Sequence, residues 1–157
     1  MGEFQEYAGD SAAVQRIARN IVIGGGGRLE NVNGVDAICF IHDADEIVNA
    51  TLGSVYITPL RQITRGGETF YPQPIANISR RIAASYMVAA IYTEIDKNVS
   101  AAAERLGQQA IRDLEELSYG ILRGDSHLEG QIMLAKNNFA NPRVVPRENF
   151  PSPRVNL

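Results

Sequence analysis

Four consecutive glycines, Gly24–Gly27, follow the apolar residues Ile21–Ile23 and precede Arg28. Glycine-rich loops before a helix can cradle phosphate with their backbone N–H groups. A P-loop needs a Gly-Lys-Ser/Thr ending, whereas Gly27 is followed by Arg28, Leu29 and Glu30. The dinucleotide fingerprint G-x-G-x-x-G fails as well: read from Gly24, Leu29 stands where the third glycine belongs, and the reading from Gly25 fails in the same way. No strand–helix–strand unit follows. The run therefore reads as a flexible connection between two helices.

The stretch His42, Asp43, Ala44, Asp45, Glu46 has the residue types of a metal site. On a helix, His42 and Glu46 lie one turn apart and could chelate. Zinc requires three or four protein ligands, and the only other histidine is His127, far off in sequence. A solvated charged face accounts for the stretch. Cys39 sits among apolar residues with no basic neighbour to lower its pKa, which makes it a core residue and not a nucleophile. Neither histidine belongs to a nucleophile motif. The sequence reads as a non-enzyme, with no catalytic, cofactor or metal residues expected.

The 157 residues suit one ordinary domain, with 45% apolar and 21% charged residues and a net charge of −3. This balance gives no dedicated nucleic-acid signature. A lone cysteine cannot form an internal disulfide. The opening residues lack the apolar core of a secretory signal, and the longest charge-free helical run, Ile82–Thr93, is shorter than the ~18–20 residues that span a bilayer. A soluble, cytoplasmic protein is expected.

The elements follow from spacing. Asp10 caps a first helix with Val14, Ile17, Ala18 and Ile21 on one stripe. Asn33 and Asp36 open a second, with Ile38, Ile41, Ala44 (or Asp45 beside it), Val48 and Leu52 at helical spacing before Gly53. The alternation around Gly66–Gly67 reads as a short β-hairpin or extended segment, which needs a surface to lean on. A third helix, from Pro74 to about Ile95, is apolar on almost every side and should be the most buried. Ser100 caps a fourth that runs to about Arg123, with Ala103, Leu106, Ala110, Leu114, Leu117 and Ile121 as its seam against the third. The fold class is therefore mainly α: a bundle of about four helices with a small hairpin.

The domain spans residues 1–128, and residues 129–157 form an extended, proline-rich C-terminal arm. Asn137–Leu157 holds four of the seven prolines and a net charge of +2. Composition alone slightly favours a disordered tail. The spacing of its apolar and basic residues suits an arm lying on another subunit, with Phe139, Arg143, Val145, Arg147, Phe150 and Arg154 as its anchors. Ile63, Phe70 and Tyr71 are the hairpin residues expected to meet a neighbouring subunit.

In order and spacing the core positions resemble the head–tail adaptor, or head-completion, proteins of tailed bacteriophages. The resemblance runs from about residue 11 to 128. It rests on Ala44, Glu46, Ile47 and Leu52 leading to Tyr56 and Pro59–Leu60. It continues with Pro74, Ile78, Ala83 and Tyr86, then with Ala110, Ile111, Leu114, Leu117, Ile121 and Gly124. The glycine run and the long proline-rich tail depart from the commonest pattern. The resemblance implies a homo-oligomeric ring of about twelve copies in the virion neck, formed in the host cytoplasm during assembly. Its partners would be the portal protein on one side and a stopper or tail-terminator protein on the other, with DNA only as passing cargo and no membrane. A net acidic chain suits a passage through which DNA slides without sticking. The alternative is a small helical DNA-binding regulator, although no tight turn joins two short helices as a helix-turn-helix requires.

Overall fold

Asp10 turns the chain into its first helix by accepting a hydrogen bond from the Ala12 N–H at 2.9 Å. In the computed structural model, which describes residues 6–29, 32, 35–92 and 97–134, this opens α1 (Ser11–Gly24). It is followed by α2 (Ile38–Leu52), a hairpin of β1 (Ile63–Arg65) and β2 (Glu68–Phe70), α3 (Gln73–Tyr92) and α4 (Lys97–Arg123). Among the described residues no helix is long and apolar enough to cross a membrane. The mainly α bundle with a small hairpin is what the spacing predicts.

The middle of the bundle is α3. It packs against α1, α2 and α4, and its buried residues are spread around the helix, from Ile75 and Ile78 to Met87, Val88 and Tyr92. The α3–α4 pairing is antiparallel, as expected: Arg81 meets Asp113, Gly107 abuts Ser85, and the Ser100 hydroxyl donates to the Tyr92 carbonyl. The seam on α4 differs from expectation, because Gly107 and Ser118 are buried in it while Leu106 and Leu117 are only half-buried at its flanks. Small residues let the backbones approach closely: a Cβ on Gly107 would overlap the Ser85 hydroxyl. Ser100 is likewise not a cap, since α4 already begins at Lys97 and Ser100 stands in its first turn. Ser79, buried on α3, is the only fully buried side-chain polar group among the described residues without a hydrogen-bond partner.

The glycine run is a tight helix stop and not the flexible connection its composition implies. Gly27 N–H donates to Val22 O at 2.8 Å and Gly26 N–H to Ile23 O at 3.1 Å, with Gly26 in the left-handed region at φ +76°. This is the double bond of a Schellman ending. The run also packs against α4: a Cβ on Gly25 would lie 2.8 Å from the Val99 Cα, and one on Gly27 2.9 Å from Val99 Cγ2. Just beyond, the Tyr92 hydroxyl donates to the Arg28 carbonyl and ties the exit from α1 to the end of α3.

Asn33, expected as the cap of the second helix, lies outside the described residues. The helix starts at Ile38, whose N–H donates to Asp36 Oδ1 at 3.0 Å. Its phase corrects two expectations. Cys39 is exposed and no part of the core. Asp45, assigned to a solvated face, is only 1% exposed and accepts hydrogen bonds from the backbone N–H groups of Glu6 at 2.7 Å and Tyr7 at 3.0 Å. Burial pushes its carboxyl above the ordinary value of 3.8, against the two N–H groups, which favour the ionised form. Tyr7 completes the knot. Its hydroxyl donates to Asn49 Oδ1 at 2.5 Å and accepts from the Leu60 N–H at 2.9 Å, and burial raises it to about 12.

Gly24 has nothing within 4 Å of an added Cβ, so Gly24→Ala should leave stability unchanged or raise it by up to about 1 kcal/mol. Gly25→Ala meets backbone and Gly26→Ala meets positive φ, and each should cost about 1–3 kcal/mol in denaturant unfolding. A uniformly harmless series would mean that the run is a loose link after all. Asp45→Ala should cost about 1–3 kcal/mol at neutral pH by stranding two N–H donors. Because the folded protein holds the Asp45 proton more tightly than the unfolded chain, stability from this group falls as pH rises from the ordinary carboxylate value through the raised one. The stability of wild type relative to Asp45→Asn, followed by unfolding across that window, should therefore fall as pH rises.

Candidate functional site

One end of the molecule gathers the features suited to an interface. After α4 the chain turns at Gly124, which has φ +83°, and runs back beside the segment that follows α2. Ile57 N–H donates to Ile132 O at 2.8 Å and Leu134 N–H to Val55 O at 3.0 Å, a short antiparallel pairing centred on Tyr56 and Met133. Below it the Gln131 side-chain amide acts as a further rung. It accepts from Arg61 N–H at 2.7 Å and donates to Arg61 O at 2.8 Å. The buried Tyr56 hydroxyl accepts from the Leu128 N–H at 2.8 Å and lies 3.1 Å from His127 Nδ1. Residues 129–134, assigned to the arm from sequence, are thus tied to the helical body.

This arrangement leaves apolar side chains in solvent. Seven large apolar residues are exposed among the described residues: Ile23, Ile38, Ile57, Tyr119, Leu122, Ile132 and Met133. The last five belong either to the Tyr56–Met133 pairing or to the last two turns of α4. Leu122 and Met133 line a groove of about 330 Å³ whose walls also include Val55, Ile121, Leu134 and His127. Burial of such a surface is the ordinary driving force for association.

The hairpin adjoins this end. Thr64–Thr69 and Arg65–Glu68 are exposed pairs beyond the half-buried Ile63–Phe70 pair, and the turn is made by Gly66 and Gly67, both at positive φ. Part of the surface it leans on comes from its own chain. The Tyr71 ring packs edge-on against Tyr7 at 4.8 Å, Arg65 pairs with Glu129, and Gly130 passes close to Ile63. Ile63, Phe70 and Tyr71 are therefore half-buried internally, and the exposed strand tips are what a neighbour could reach. The arm residues Phe139, Arg143, Val145, Arg147, Phe150 and Arg154 lie outside the described residues, and the described chain reaches Leu134 at the groove.

Sequence reasoning overlooked the groove. Its signal was Leu122 beside Ile121 and Tyr119 beside Ser118, apolar residues off the helical stripe. At the opposite pole of α2, His42 Nε2 lies 3.7 Å from Glu6 Oε1. Among the described residues no group of three or more His, Cys, Asp or Glu side chains is placed to hold a metal ion.

Tyr56→Phe removes the acceptor of the Leu128 N–H and should cost about 1–3 kcal/mol. Hydrogen exchange should speed up at Leu128–Leu134 more than in α3. Equal protection in wild type and variant would show that the return segment is held by other contacts.

Set against protein-family models, curated proteins and solved structures, the chain matches none.

Proposed function

We propose that the chain is a structural adaptor of a tailed-phage neck, acting through association and not through catalysis. In this reading copies close into a ring between the portal protein and a stopper or tail-terminator protein, with DNA as passing cargo. The observation that supports it most directly is the concentration of exposed apolar side chains at one end, around Leu122, Met133, Ile57 and Ile132. A free monomer gains nothing from that surface, whereas a ring or a portal contact buries it. The order and spacing of the core positions, which resemble the adaptor family, supply the particular assembly. The glycine stop then serves the ring by fixing α1 against α4.

Native mass spectrometry and negative-stain imaging of concentrated protein should show closed rings of about twelve copies. Replacing Leu122 and Met133 together by serine should abolish them without changing the far-ultraviolet circular dichroism. Deleting Asn137–Leu157 should leave the bundle folded yet prevent docking to a portal. A persistent monomer that binds duplex DNA in a salt-dependent way would replace the adaptor with the DNA-binding regulator.

A further inference from the structure

Arg80–Arg81 is the only adjacent basic pair in the chain, and folding adds to it. Arg16 of α1 joins Arg80 and Arg81 of α3 around one cleft of about 550 Å³, with Ile17 and Leu106 as apolar walls and the Asn77 amide beside them. Two of the guanidiniums are held in place. Arg80 Nε donates to the Ala8 carbonyl at 2.8 Å, and Arg81 Nη1 pairs with Asp113 Oδ2 at 2.7 Å, with the Arg81 side chain only 25% exposed. Arg16 is exposed, and among the described residues no carboxylate pairs with it.

Of these three cations only Arg81 is ion-paired among the described residues, with Asp113, which leaves two positive charges at the cleft without a carboxylate partner. A carboxylate ligand would neutralise only one of them. A phosphate dianion, or two neighbouring phosphodiesters, would neutralise both. The planar fork of arginine matches phosphate oxygens in pairs, and apolar walls lower the local dielectric and strengthen the attraction. Anchoring of Arg80 and Arg81 reduces the rotamer freedom lost on binding.

We infer that the Arg16–Arg80–Arg81 cleft is a binding site for phosphate, free or in the backbone of a nucleic acid. This stands on the cleft alone and does not depend on the adaptor reading.

The test is titration of the full chain with pyrophosphate at low salt, followed by backbone amide shifts and calorimetry. Pyrophosphate should shift the amides of Ala13, Ile17 and Asn77. Arg16→Gln, a substitution at an exposed position, should weaken binding about tenfold. Arg123→Gln, at the C-terminal end of α4, should leave it unchanged. A short duplex DNA that displaces pyrophosphate, with affinity falling steeply as salt rises, identifies the nucleic-acid backbone as the source. DNA that fails to displace it identifies free phosphate. The inference is overturned if Arg16→Gln binds like wild type or if the shifts fall elsewhere. Binding of a Glu-rich peptide in place of pyrophosphate would also overturn it, making the cleft a protein contact.

Discussion

The fold depends on what holds residues 6–8, a segment too short and irregular to hold itself. Asp45 grips it from below by accepting two backbone N–H groups, and Tyr7 projects into the gap between α2 and the chain after it. Its ring supports Tyr71 at the foot of the hairpin, while the next carbonyl, Ala8 O, fixes Arg80 on α3. Three consecutive residues thus link the entrance of α1, the middle of α2, the central helix and the hairpin. A carboxylate so placed would be costly if left unpaired, and its two N–H partners are what make the burial tolerable. Breaking either side of the grip would disturb four elements at once.

The second constraint is the all-round burial of α3. A helix surrounded by three others must present small residues where a neighbour comes closest. Ser85 on α3 and Gly107 on α4 do so, and Ala83, Ala84, Ala103 and Ala110 are buried on the same two helices. The pairing therefore gains close backbone packing where larger side chains would hold the helices apart. Half-buried Leu117 at the flank of α4 then packs against the edge of the core, while Leu106 lines the cleft beside Arg16 and Arg80. This displaces the apolar rhythm that looks regular in the sequence by one position at each of two turns.

Local signals were legible and distant ones were not. The Asp10 cap, the apolar stripe of α1, the turn at Gly66–Gly67 and the antiparallel pairing of α3 with α4 all arise from residues close in sequence or from long, regular spacing. Asp45 was misplaced because its partners are backbone N–H groups 38 and 39 positions away, and no side-chain pattern announces those. Cys39 was misplaced because one residue of helical phase separates the buried face of α2 from solvent. The return of residues 131–134 to Val55–Arg61 leaves almost no trace: it is one isolated bridge and one glutamine, without the alternation that marks a strand. The hairpin itself was therefore foreseen, and the groove beside it was not.

Two segments far apart in sequence close on neighbouring residues: Leu60 is held by Tyr7, and Arg61 by Gln131, across separations of 53 and 70 residues. On the ribosome the first contact becomes available early, but the second must wait until almost all of the helical body has been made. The segment from Val55 to Arg61 consequently completes its hydrogen bonds only once residues 131–134 exist, and this closes the larger loop. The groove between that segment and α4 has no counterpart in a partly synthesised chain. Translation itself thereby sets the moment at which this shaped apolar surface first exists.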